Sequence, residues 1–286
     1  MAVLVFGKTG QVATELARVG REEAICLGRA QADLSDPWAC AAIIRGTGAE
    51  AVIDAAAYTV VDRAEDEEAL ATVINGAAPA AMARACAARG LPFVHISTDY
   101  VFDGSGEAPW RPDDQTGPLG AYDRSKLAGE QGIAATGGQY AILRTSWVFS
   151  AYGQNFVKTM LGLAQSRDRL TIVADQVDGP TPAADIAAAC LGLARGLAAG
   201  AGAPGIHHFS GAPDVSWAGF AREIFAQAGL AVTVEEIPAA QFPTRAARPA
   251  NSRLDCSALE AQAGIARPDW RAGLTRVLAE LAEAAG

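Results

Sequence analysis

Tyr122 and Lys126 stand four residues apart in GAYDRSKLAGE, where an Ala-rich stretch of helical period begins. Residues at i and i+4 are neighbours on one helix face. A free phenol titrates near about 10 and shares its proton poorly at neutral pH, but an ammonium one turn away favours the phenolate and lowers that value. The pair can therefore serve as an acid and its electrostatic tuner wherever negative charge develops on an oxygen. On an exposed face the same two residues would be a ring packed over a lysine stem. The rest of the chain must decide between these.

Two other stretches bear on the choice. VLVFGKTGQVATEL carries Gly7, Gly10 and Ala13 at the spacing GxxGxxA, directly after a short apolar run and at the start of a helical pattern. Glycines there let a backbone turn tightly against a pyrophosphate, whose charge is favoured by the free amides and dipole of the helix opening with Gln11 and Val12. The embedded GKT is not a triphosphate loop, because Ala2 stands where that motif requires glycine. Further on, CLGRAQADLSD offers Arg29 where a 2′-phosphate would lie, which points to NADPH, with NADH as the alternative. Asp33 and Leu34 are placed to flank an adenine, and Ala55, Ala56 and Ala57 are small enough for a cofactor to pass close to the backbone. Thr98, in HISTDYVFDG, follows another apolar run and falls where ligands gather in parallel sheets.

The elements that must position these residues follow from the pattern. VLVF, AICL, AVIDA, FVHIS and YAILR alternate with helical stretches such as QVATELARVG, DPWACAAIIRG and APAAMARACAARG. Short buried runs separated by helices make βαβ units, hence an α/β fold: a doubly wound parallel (Rossmann) sheet over residues 1–150. Residues 151–286 are looser, with strands expected at LTIVA and GIHHFS. They predict a smaller carboxyl-terminal α/β lobe, mainly for substrate and partly interleaved with the sheet.

Composition excludes several classes. The 286 residues carry a formal charge of -9, which disfavours a nucleic-acid surface. No run approaches the roughly 18 apolar residues of a membrane span, and no secretory leader is visible. Five scattered cysteines read as reduced thiols rather than a disulfide framework or zinc site. A cytoplasmic protein is expected. His95, alternating within a strand, reads as a hydrogen-bonded core residue. His207 and His208 are adjacent on a strand and point to opposite faces. DRAEDEE (62–68) reads as an acidic helix start.

Taken together, the glycine turn, Thr98, Tyr122 and Lys126 resemble the extended short-chain dehydrogenase/reductases, in which Ser/Thr, Tyr and Lys form the catalytic group. FGKTGQV, AAAYTVVDRAE, STDYVFDGSGEAPW, AYDRSKLAGE, LRTSWVF, NFVKTML and RPANSRLD, in order along nearly the whole chain, are similar to the dTDP-4-dehydrorhamnose reductases. The resemblance implies NAD(P)H-dependent reduction of a nucleotide-linked 4-keto sugar to dTDP-L-rhamnose, with Thr98, Tyr122 and Lys126 catalytic and Tyr122 and Lys126 also meeting the cofactor. Thr98, Asp99, Tyr100, Tyr122, Trp147, Arg248 and Ser252 would then meet the dTDP-sugar, with Arg253 beside them; for Trp147, core packing is the other reading. In the related 4,6-dehydratases an Asp-Glu pair follows the Thr. Here Asp99 precedes Tyr100, which cannot be that carboxylate base, so reduction is favoured over dehydration.

The sequence departs from the family at Ala13, in place of the third glycine, and at Asp54, where Asn is common. Some members hold a divalent ion between subunits. Glu15 could match one ligand, but Ala184 stands where a second carboxylate is sought, so no metal is predicted. A monomer or homodimer is expected. Two alternatives stay open within the resemblance: a reductase of another nucleotide 4-keto sugar, and a non-catalytic NADP-binding regulatory subunit of an S-adenosylmethionine synthetase.

Overall fold

The computed structural model describes residues 1–285. VLVF forms β1 (Val3–Phe6) and AVID forms β3 (Ala51–Asp54), both buried at every residue, as strands covered on two faces must be. Side chains alternate between the two faces. Val3 and Val5 join the core beneath α1 (Gln11–Gly20) and α8 (Ala183–Ala198). Leu4 and Phe6 join the opposite core, with α2 (Pro37–Gly46) and α5 (Ala78–Arg89). Helix α2 starts where its residues dictate: Asp36 accepts the Ala39 amide at 3.0 Å and Pro37 fills the first turn.

With β2 (Ala24–Leu27), β4 (Phe93–Thr98) and β5 (Tyr140–Thr145), these strands make one parallel sheet. Short strands β6 (Val148–Phe149), β7 (Arg169–Val173), β8 (Val177–Asp178) and β9 (Thr181–Pro182) follow. β10 (Gly205–His208), the expected GIHHFS strand, then returns to the sheet beside β5, giving the order β10-β5-β4-β3-β1-β2. The order reverses between β1 and β3. The carboxyl ends of these strands therefore frame a crevice at the switch point.

The expected LTIVA strand stays outside this sheet: β7 pairs in parallel with β12 (Thr233–Ile237). A third core lies there, built from Phe149, Val157, Phe220, Trp270 and Leu274 of β6, α7 (Phe156–Ala164), α9 (Trp217–Gln227) and α11 (Trp270–Ala285). All five cysteines are free thiols. No helix among the described residues is long and apolar enough to cross a membrane.

Candidate active site

The crevice is a cleft of about 850 Å³, near the upper end for small-molecule sites. One end is the turn between β1 and α1. Gly7 has φ +125°, and a Cβ there would lie 3.1 Å from Ala13 Cβ and 3.2 Å from the Ala55 backbone. The turn thus needs glycine twice over, for its dihedral and for its closeness to β3. Ala13 fits as a small residue beneath it. No side chain caps α1 at Gly10, and Gln11 and Val12 line the cleft, so the first-turn amides and helix dipole are available to a pyrophosphate. Arg29, Asp33, Leu34, Ala55, Ala56 and Ala57 line the same end. Arg29 is ion-paired to Asp33 at 3.2 Å and largely exposed, free to swing toward an anionic group. These residues fit a dinucleotide such as NADPH.

Helix α6 (Ala121–Ala134) carries the other end, and contacts along its length fix it. Its first amides are held by carboxylates: Gly120 N donates to Asp123 Oδ2 at 2.8 Å and Ala121 N to Glu65 Oε1 at 2.8 Å. Asn75 sits in a π-helical turn, Val73–Ala77, between α4 (Glu68–Thr72) and α5. It donates to Ser125 Oγ at 2.9 Å and accepts the Tyr58 amide at 2.8 Å, tying the loop after β3 to α6. Gly129 lets that turn approach, since a Cβ there would lie 2.2 Å from the Asn75 carbonyl oxygen. One turn past Lys126, Glu130 pairs with Arg144 of β5 at 2.7 Å and accepts Ser97 Oγ of β4 at 2.5 Å, all buried. Gly129→Ala is expected to lose about 1–3 kcal/mol in urea denaturation, from overpacking, with turnover falling as α6 shifts.

The fixed helix brings Tyr122 and Lys126 to the end of β4, where Thr98 stands; all three line the cleft with Asp99, Tyr100 and Trp147. Thr98 Oγ1 donates to Asp99 Oδ1 at 2.9 Å and accepts the Tyr100 amide at 3.2 Å, and the Tyr122 phenol lies near Thr98. Two expectations change. Lys126 Nζ donates to Ile96 O at 2.6 Å and lies 3.0 Å from His95 Nε2, rather than pairing with Tyr122. The Tyr122 phenol is consequently pushed up rather than down, by burial first and then by the charges of Asp99 and Asp123. It stays protonated until a stronger base forms beside it.

His95 is a core residue, as expected, yet it belongs to the site through its partners. Its Nδ1 meets Asp54 Oδ2 at 2.8 Å. With Asp54 accepting at Nδ1, the neutral ring leaves Nε2 to accept from the Lys126 ammonium. Burial, then the Lys126 charge, pushes the His95 pKa down and keeps the ring neutral. Asp54 thus supplies an acceptor that fixes the tautomer. Burial likewise lowers the Lys126 pKa to about 8.

Trp147 lies on the cleft wall with φ +42°, a left-handed backbone rare for a large residue. Its ring stacks on Trp217, centroids 3.4 Å apart. Trp217, the first residue of α9, also lines the cleft and carries no signal in the local sequence. Arg248 and Ser252 do not line the cleft. Arg248 makes a two-pronged pair with Asp62 of α3 (Val61–Ala64), and Ser252 is buried near Asp99. Arg253 binds Asn251 Oδ1. Glu15 is taken up by Arg18 at 2.7 Å. Among the described residues no group of three His, Cys, Asp or Glu is arranged to hold a metal ion.

This geometry has relatives. The protein-family model for the RmlD substrate binding domain matches residues 1–283. A dTDP-4-dehydrorhamnose reductase of Sinorhizobium fredii is 44% identical over 286 residues, covering 97% of each chain. The crystal structure of a dTDP-4-dehydrorhamnose reductase from Clostridium acetobutylicum superposes with a TM-score of 0.93 at 33% identity, covering 99% of this chain and 100% of that one. The enzyme of the same name from Bacillus anthracis, solved in complex with NADP, gives 0.91 at 32% identity, covering 98% and 100%. Matched along its whole length in both sequence and fold, the chain belongs to the dTDP-4-dehydrorhamnose reductase family.

Proposed function

We propose that this protein reduces the 4-ketone of dTDP-4-dehydro-L-rhamnose to dTDP-L-rhamnose, with NADPH as reductant. The observation that carries the reading is the meeting of Thr98, Tyr122 and Lys126 in the same cleft as the glycine turn of α1. NADPH, when bound, supplies the hydride, which leaves negative charge on the substrate oxygen. Tyr122, held in its protonated form by burial, donates the proton that this oxygen needs. Thr98, on the same cleft wall as the phenol, is placed to bond the same oxygen. Lys126, anchored at Ile96 and His95, has a third N–H left for the nicotinamide ribose and places a positive charge beside the developing anion. Arg29 takes the 2′-phosphate, and Asp99, Tyr100 and the Trp147–Trp217 stack receive the sugar nucleotide, with Arg248 and Ser252 supporting that wall.

Residues 1–150 serve mainly the cofactor and 151–286 mainly the substrate, in a monomer or homodimer working in the cytoplasm. Tyr100 disfavours dehydration, since burial and the Asp99 charge raise its pKa and keep it a neutral phenol. The test is to follow NADPH absorbance with the purified protein and dTDP-4-dehydro-L-rhamnose, expecting one NADPH consumed per dTDP-L-rhamnose formed. Tight NADPH binding without oxidation would instead indicate a regulatory subunit.

A further inference from the structure

Behind the cleft, Asp54, His95 and Lys126 form a continuous chain of buried titratable side chains. In the parallel register of β3 on β4, Asp54 stands opposite His95, so the two side chains leave the sheet on one face. α6 brings Lys126 to the same point. An ammonium buried there has lost its water and must be held by protein acceptors. Two hold it, both from β4: Ile96 O at 2.6 Å and His95 Nε2 at 3.0 Å. Because an ammonium only donates, Nε2 must be the bare nitrogen and the ring proton must sit on Nδ1. Asp54 Oδ2 meets Nδ1 at 2.8 Å and accepts that proton. The opposite tautomer would set an N–H against the ammonium and leave the carboxylate facing a lone pair. Asp54 is itself fixed, since its Oδ1 accepts the Ala56 amide at 3.3 Å.

We propose that Asp54 and His95 are positioning residues for the reduction: the carboxylate fixes the imidazole tautomer, the imidazole holds the ammonium, and the third N–H of Lys126 is thereby aimed into the cleft at the nicotinamide ribose. The proposal rests on the ketone-reductase reading. No bond is made or broken along the chain, and both residues act through Lys126, which lines the cleft.

The surroundings leave the counter-charge to Asp54. Glu130, one turn further along α6, is committed to Arg144 of β5 at 2.7 Å and to Ser97 Oγ at 2.5 Å. Tyr122, one turn back, is a neutral phenol. Cys40 of α2, near Asp54, stays a thiol, pushed up to about 11 by burial. Burial lowers the Lys126 pKa to about 8, and the Asp54 charge, followed by that of Glu130, works against the fall.

Asp54→Asn keeps an oxygen for the Nδ1 proton but removes the charge. The ammonium is present below its pKa, so a further lowering means that it is lost at lower pH. The alkaline limb of kcat/KM should move down by about one pH unit, and the deficit of the variant should widen roughly fivefold between pH 6 and pH 8, the lower end of what a neighbouring charge does. His95→Leu leaves the ammonium short of an acceptor, and NADPH affinity and kcat should each fall roughly tenfold or more, the scale of a hydrogen bond to a charged group. His95→Gln, whose side-chain oxygen can accept from Nζ, should recover most of both losses. The ring gives a readout that needs neither turnover nor a folded variant. The chain has three histidines, and two-bond proton–nitrogen NMR spectra of the resting wild type should show His95 neutral at pH 7 with its proton on Nδ1. A wild-type ring protonated on Nε2 overturns the proposal. So does an Asp54→Asn variant slowed equally at every pH, as a merely structural pair would be, or a His95→Gln variant as impaired as His95→Leu. If the wild type oxidises no NADPH with the keto sugar, the reductase reading fails by itself, and the tautomer and the NADPH affinities of the variants still decide whether this chain holds Lys126.

Discussion

Tyr122→Phe is expected to fold normally and bind NADPH with unchanged affinity while kcat falls by roughly 10²–10⁴, the range for losing a positioned acid. The substitution removes one oxygen near Thr98. Even a full hydrogen bond lost there would cost only about 1 kcal/mol of stability, too little to unfold a chain with three large buried cores. The ring remains, so the cleft keeps its shape. Cofactor titration by fluorescence alongside steady-state rates separates the two quantities. Turnover within a few-fold of wild type would remove Tyr122 from the reaction.

Lys126→Met is expected to weaken NADPH binding and lower kcat together. Methionine fills much of the buried channel but leaves Ile96 O and His95 Nε2 without their donor, and it removes a buried positive charge from the cleft wall. Losing such a preorganised group costs on the order of 10²–10³ in rate. A pH profile gives the independent check. The Lys126 pKa is lowered to about 8, so its charged form is present below that pH and is lost as pH rises through it. The kcat/KM of the wild type, which reports the free enzyme, should therefore decline with a limb near pH 8. A flat profile to pH 10 would mean that the ammonium is not required.

How far the sequence carries the structure differs from residue to residue. Gly7 and Gly10 were readable because a strand-turn-helix in one short stretch leaves few ways to fold, and Thr98 because it ends an apolar run. Tyr122 and Lys126 share a helix face as their spacing requires, but spacing sets a face and not a rotamer. The buried carbonyl of Ile96 and the ring of His95 decide where the Lys126 ammonium points. Asn75, Glu130, Arg144 and Trp217 are not legible locally, because their roles depend on partners far away in the chain. Arg248 stands outside the cleft lining and pairs with Asp62, a counter-ion on a different element that no local pattern announces.

The sheet order also has a consequence for how this protein is made. β5 ends at Thr145, yet its outer neighbour β10 is not available until His208 has been synthesised. Through that interval the nascent chain presents an unpaired, almost wholly buried-type strand edge, the kind of template on which chains associate wrongly. α8, which covers the core behind the sheet, is made just before β10. Closure of the edge and covering of the face therefore come as one late event, and a ribosome stalled before residue 208 would hold an open, adhesive sheet rather than half an enzyme.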